Sequence, residues 1–279
     1  MTFRITTLTE NTAFGPSELL GEWGFSALLE TDTVNILLDT GHGVSTTYNA
    51  DILGIDLGKV DVMVLSHGHH DHTGGLREVL RRIRREIEII AHPDVWAAKY
   101  GRRQGHEARY SGMPFQRREL ENLGARFNET REPVKITENV MTTGEIPMVT
   151  EFEDINQNLC VMEGKELKPD QLLDDQALIL NTGQGLVIIL GCGHRGIINT
   201  IYHAQKLTGV EEIAMVIGGC HLIGATEERI WRTIAALREL EVQKIGVSHC
   251  TGMTAAVIMA QEFGDNFFFN NAGNRIELE

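Results

Sequence analysis

Positive charge is scarce in this chain: 25 lysines and arginines stand against 39 aspartates and glutamates, a net charge of −14 with a pI near 5.2. Neutralising a phosphate backbone takes a basic face, so nucleic acid is not expected as a partner. Cysteine is scarce too. The four copies, Cys160, Cys192, Cys220 and Cys250, include no C-x-x-C pair, which in a chain of 279 residues predicts reduced thiols rather than a disulfide framework. No apolar run reaches about 18 residues, and no apolar segment follows a basic start, so neither membrane nor secretion is expected and the predicted compartment is the cytoplasm. Three catalytic devices are missing as well: a G-x-S-x-G elbow, a Walker-A loop, and a G-x-G-x-x-G turn between a strand and a helix.

What the chain does have is one dense stretch, Val60 to Leu76, with the sequence VDVMVLSHGHHDHTGGL. The apolar run from Val60 to Leu65, interrupted only by Asp61, reads as a buried strand that stops at Ser66 and delivers four histidines and an aspartate into one loop. His67, His69, Asp71 and His72 follow the pattern H-x-H-x-D-H. Alternate positions of an extended segment point the same way, so His67 and His69 can close on one metal ion while Asp71 and His72, at the turn, reach a second. Thr73-Gly74-Gly75 is expected to turn the backbone tightly before a helix from Leu76 to about Glu86.

At these residues the chain resembles the metallo-β-lactamase-fold superfamily of metal-dependent hydrolases, whose signature the loop matches at every ligand position. Within it the chain is similar to the group of hydrolases related to the archaeal dihydropterin-ribofuranosylaminobenzene-phosphate synthase. That narrower likeness is carried by Glu22-Trp23-Gly24-Phe25-Ser26, Leu38-Asp39-Thr40-Gly41, Gly144-Glu145-Ile146-Pro147, Asp175-Gln176-Ala177-Leu178, Gly191-Cys192-Gly193-His194, Gly218-Gly219-Cys220-His221-Leu222 and His249-Cys250-Thr251-Gly252. His70 departs from it, standing where a tyrosine is expected. The resemblance implies that His194 and His249 are later metal positions, that Cys192 occupies the place of a bridging aspartate, and that Asp39 stands beside the metal loop. Asp39 can cap a turn and orient a ligand histidine at once. His221 and Asp175 are read as ligands or as residues supporting them.

The rest of the chain alternates strands and helices. Phe3 to Leu8, Phe25 to Leu29, Val34 to Leu38 and Ile87 to Ala91 read as strands of a first half, and Ala177 to Leu180, Leu186 to Leu190, Ile213 to Ile217 and Ile245 to Val247 as strands of a second. Ser45 to Leu53, Pro93 to about Tyr100, Phe115 to Leu123, Ile197 to Leu207 and Glu227 to Leu240 read as helices, and Val134 to Met141 as a strand or strand pair. Two strand-rich halves followed by helices predict an α/β fold, an αββα sandwich formed by one domain spanning 1–279. The looser stretch at about 101–169 is expected to be an insertion, a lid or wall, with Arg102, Arg103, His106 and Arg109 gripping an anionic small-molecule substrate. Arg81, Arg82, Arg84 and Arg85 read as a solvated helix face.

Two divalent ions about 3.5–4 Å apart polarise a carbonyl or phosphoryl oxygen and hold a hydroxide between them, which makes hydrolysis of an ester, phosphoester, lactone or thioester the first expectation. Asp71 is expected both to hold the second ion and to contact the nucleophilic water. Zinc suits the His/Asp/Cys set best, and manganese or iron suits a His/Asp set. The alternatives are a pterin-diphosphate-dependent transferase, as the narrower resemblance implies, and a non-catalytic metal-binding protein.

Overall fold

The computed structural model describes residues 2–15, 18–103 and 105–278. The chain opens with three antiparallel strands, β1 (Phe3–Thr9), β2 (Ser26–Glu30) and β3 (Asn35–Leu38), followed by helix α1 (Ser45–Ile52). β4 (Val62–Val64) pairs parallel with β3 and leads into a one-turn helix, α2 (His70–Thr73). Helix α3 (Leu76–Ile83) buries Leu76, Val79, Leu80 and Ile83 and ends at Arg84, whose left-handed φ of 56° closes it before Glu86. Gly74 and Gly75 have ordinary helical angles, so their role differs from the expected tight turn. A Cβ on either would overlap a carbonyl oxygen, His42 O for Gly74 and Thr40 O for Gly75.

After β5 (Ile87–Ala91), the helix expected from Pro93 to Tyr100 is a single tight turn at Pro93–Trp96. The His92 ring caps it by accepting from Asp94 N, and Ala97 turns extended because the next residues form β6 (Lys99–Gly101), which pairs across the chain. β7 (Arg109–Tyr110), α4 (Arg117–Asn122), β8 (Ala125–Glu129), β9 (Val140–Thr142), β10 (Leu159–Glu163) and β11 (Glu166–Pro169) follow. Segment 101–169 is therefore not one insertion. β8 pairs parallel with β5, β9 joins the strand that comes after β11, and only the four-stranded sheet β11-β10-β6-β7 stands apart. Of the segment 134–141 expected as strand, β9 takes only the end, with an isolated bridge from Lys135 to Met141.

The second half holds β12 (Ala177–Thr182), β13 (Gly185–Leu190), α5 (Ile197–Thr208), β14 (Ile213–Gly219), α6 (Glu227–Glu239), β15 (Ile245–Ser248), α7 (Met253–Phe263), β16 (Phe267–Phe269) and β17 (Arg275–Leu278). The main sheets run β17-β1-β2-β3-β4-β5-β8 and β16-β15-β14-β13-β12-β9. Because side chains alternate across a strand, each sheet feeds two layers of core. Ile36, Leu38, Leu178, Leu180, Val187 and Ile189 meet between the sheets, while Leu37 faces α3 and Ile179 and Ile188 face α5 and α6. This is the αββα sandwich. Among the described residues no helix is long and apolar enough to cross a membrane.

β3 and β4 are parallel, as are β13, β14 and β15, so within each sheet these strands end on one edge. The residues that follow them are Asp39, then Ser66 to His72, Cys192 to His194, Cys220-His221 and His249. Loops at the carboxyl ends of parallel strands are where such sheets collect functional groups.

Candidate metal centre

Three imidazole nitrogens converge behind β4: His67 Nε2 lies 2.9 Å from His69 Nδ1 and 3.2 Å from His194 Nε2. Beside them, His72 Nε2 is 3.1 Å from Cys192 Sγ, and His249 Nε2 is 3.3 Å from Asp71 Oδ2. The donor atoms of His67, Cys192 and His194 all lie within 4.8 Å of one another, as do those of His72, Cys192 and His249. Cys192 is common to both groups. The extended backbone at His69 gives way to the turn α2, which swings Asp71 and His72 to the second group, as the spacing required.

The supporting bonds decide which nitrogens face inward. Asp39, fully buried, accepts His72 Nδ1 at 2.7 Å and Ser66 Oγ at 2.6 Å, and Ser66 Oγ in turn lies 2.9 Å from His67 Nδ1. A carboxylate only accepts, so His72 carries a proton on Nδ1, and the Ser66 hydroxyl, spent on Asp39, accepts from His67 Nδ1. One aspartate thus turns the Nε2 atoms of both histidines inward as the ligating atoms. His249 is set the same way from the far end of β1: its Nδ1 lies 3.0 Å from Asn11 Oδ1, and its backbone N–H donates to Glu10 Oε1 at 2.7 Å. Asp71 Oδ2 accepts Trp23 Nε1 at 2.9 Å.

A buried ion cluster fixes the His67–His69 loop from behind. Gly68 N donates to Asp174 Oδ2, and Lys99 Nζ, 1% exposed, donates to Asp174 Oδ1 and to Asp170 Oδ2, each at 2.8 Å. Asp175 turns the other way and accepts Arg195 N at 2.9 Å, holding the loop that carries His194 rather than joining either donor group. Asp39, His221 and His249 have φ of 57°, 42° and 49°, left-handed values that cost a non-glycine residue about 1–3 kcal/mol and that gather at functional sites.

Burial and mutual repulsion hold the pKa values of His67 and His194 well below the usual histidine value; burial does the same for His69 against the pull of Asp71. These rings are neutral lone-pair donors. His72 differs: burial opposes its charge, but Asp39 outweighs burial and lifts it to about 9. Burial would raise Asp71, yet the adjacent His249, His72 and His69 rings keep its carboxyl well below the ordinary range. Burial pushes the Cys192 thiol well up. Two buried nitrogens of the cluster, His69 Nε2 and His249 Nε2, have no hydrogen-bond partner among the described residues. Converging imidazole nitrogens, a carboxylate and a sulfur make a donor set that fits a divalent transition metal.

Of the residues expected from the sequence, His67, His69, Asp71, His72, Cys192, His194 and His249 come together. His221 stands outside both groups, its ring 4.2 Å from that of His194. Arg102, Arg103, His106 and Arg109 are exposed on the β6–β7 hairpin, and Arg102 donates to Leu167 O. Glu10, Asn11, Lys99 and Asp174 serve the cluster without any sequence motif to mark them. Each supports the cluster from an element remote in sequence, and none lies in a stretch that draws notice.

The sequence model of the metallo-beta-lactamase superfamily matches residues 24–205, and the chain belongs to that superfamily. It is 33% identical, over 99% of its length and 96% of the relative's, to the 7,8-dihydropterin-6-methyl-4-(beta-D-ribofuranosyl)-aminobenzene-5'-phosphate synthase of Methanocaldococcus jannaschii. Among solved structures it is similar to Tm1679, described as a metal-dependent hydrolase of the beta-lactamase superfamily, with a TM-score of 0.84 and 29% identity over 99% of both chains. The metallo-beta-lactamase fold protein YhfI of Bacillus subtilis shares the fold, with a TM-score of 0.61 and 11% identity over 99% of each chain.

Proposed function

We propose that this protein is a dinuclear metal-dependent hydrolase of an ester, phosphoester, lactone or thioester. The observation that carries the reading is the pair of adjoining donor groups sharing Cys192. His67 Nε2, His69 Nδ1 and His194 Nε2 would hold one ion, and His72 Nε2, His249 Nε2 and Asp71 the other, with the Cys192 thiolate available to both groups. Divalent ions bound there, zinc first and manganese or iron next, supply Lewis acidity and an activated water. The chain does the rest. Asp39 keeps His67 and His72 in the binding orientation, and Trp23 Nε1 holds Asp71 as a carboxylate able to accept a proton from the water. The net charge of −14 favours a small molecule over nucleic acid, and we place the protein in the cytoplasm with reduced thiols.

One observation favours a second reading. The 33% identity to the dihydropterin synthase spans nearly the whole chain, which supports a transferase acting on a pterin substrate with the same metals. Zinc- and manganese-loaded protein should be assayed against phosphodiester, lactone and thioester panels, and separately for condensation of a dihydropterin diphosphate with an arylamine. Turnover in the panels alone supports the hydrolase, condensation alone replaces it with the transferase, and inactivity in every arm with two metals bound defeats both.

A further inference from the structure

A cleft of about 610 Å³ lies on the His221 side of the metal centre, walled by the loop before β10 and by the loop that enters α6. Its size falls in the range of small-molecule sites, about 300–1,000 Å³. His221 lies on its wall, and the His221 ring is 4.2 Å from that of His194, so a single side chain stands between the cleft and the donor cluster. Arg229 and Arg232, one turn apart on α6, also line it. Arg229 Nη1 is anchored on Asp154 O and Oδ1, each at 2.7 Å, whereas its buried Nε has no hydrogen-bond partner among the described residues. The Arg232 guanidinium lies 4.7 Å over the Phe152 ring, and among the described residues no carboxylate approaches it within 4.0 Å. The cleft has acidic members too. Asp154 is already paired with Arg229, while Glu151 and Glu228 are exposed and make no ion pair among the described residues.

A guanidinium stacked on an aromatic ring is held in place without being neutralised, which suits it to receive two oxygens of a planar or tetrahedral anion. We propose that this cleft is an oxyanion subsite: the substrate of the metal centre carries a phosphate or carboxylate away from its reacting bond, and Arg232, backed by Arg229, holds it. The proposal rests on the hydrolase reading for the presence of a reacting bond, and it puts anion recognition on α6 instead of on Arg102, Arg103, His106 and Arg109.

Calorimetric titration of zinc-loaded protein with inorganic phosphate and, separately, with acetate tests it, using wild type, Arg232→Met and Arg232→Lys. Anion bound at the metals contributes alike to all three, so the differences report the cleft. At least one anion should lose tenfold or more in affinity in Arg232→Met and recover part of it in Arg232→Lys, and the anion that responds tells phosphate from carboxylate recognition. Arg232 is exposed, so melting temperatures should match. Equal affinities in wild type and Arg232→Met for both anions would overturn the proposal. Ester pairs differing only in a remote charge separate the two readings: no turnover of any ester sinks the hydrolase, while the titration still decides the cleft.

Discussion

The carboxylate of Asp39 and the imidazole of His72, 33 residues apart in the chain, meet at 2.7 Å with neither side chain exposed to solvent. That contact ties the end of β3 to the metal loop behind β4 and directs the other His72 nitrogen at Cys192, 3.1 Å away. It also makes metal binding a proton-releasing event.

Zinc binding should release at least two protons per chain near pH 7.5, because in the metal-free protein the Cys192 thiol and His72, lifted to about 9, both still hold a proton that a ligand must give up, before any proton lost by an activated water. Calorimetry in buffers of different ionisation enthalpy measures the number. Cys192→Ser should lower it by about one; an unchanged release would show that the sulfur does not bind as thiolate.

Asp71→Asn should keep the fold and the ion at His67, His69 and His194 while weakening the second ion and lowering kcat by about 10²–10⁴-fold, the usual worth of a positioned acid or base. Its carboxylate faces Trp23 and His249 rather than capping the Gly74-Gly75 turn, so the melting temperature of the metal-free variant should change little. Full activity with two ions bound would remove Asp71 from the mechanism.

Lys99→Met strands two buried carboxylates, Asp170 and Asp174, at a cost of about 3–5 kcal/mol. Since Asp174 holds Gly68 N, the loss should reach the metal as weaker zinc binding at His67 and His69. Adding Asp170→Asn should return part of the stability. A loss below about 1 kcal/mol in urea unfolding, with zinc affinity intact, would reduce this cluster to surface-like ion pairs.

Asp175 sets a pH dependence. Burial, opposed by the Arg195 N–H, pushes it up to about 7 from an ordinary 3.8. Between those values the folded protein keeps a proton that the unfolded chain has lost, so this group's contribution falls as pH rises, by up to about 1.4 kcal/mol per pH unit, and is gone above 7. Urea midpoints of metal-free wild type should therefore drop relative to those of Asp175→Asn between about pH 5.5 and 7, since the amide does not titrate. Parallel curves would mean that Asp175 ionises normally.

Much of this protein was determined by local sequence. The H-x-H-x-D-H spacing sets the two-donor, turn, two-donor geometry within a few residues of backbone. The alternation along β3, with Ile36 and Leu38 facing the other sheet and Leu37 the helices, decides which side packs where, as it does in β12 and β13. Both depend on periods of the chain itself. What only the tertiary structure decided depends on residues far apart. Pro93 to Tyr100 reads as a helix locally, yet β6 forms there because β10 and β7 supply partners that no local pattern announces. Segment 101–169 reads as one loose insertion, yet β8 and β9 complete the edges of two different sheets. Glu10 and Asn11 carry no motif, and they orient His249 across 238 or more residues of chain only because the end of β1 lies beside the carboxyl end of β15. The ligand types and their spacing were legible because a metal site recruits chemistry that few residues offer. Their supports were not, because a hydrogen bond to a ligand can come from any polar group that the fold brings within about 3 Å.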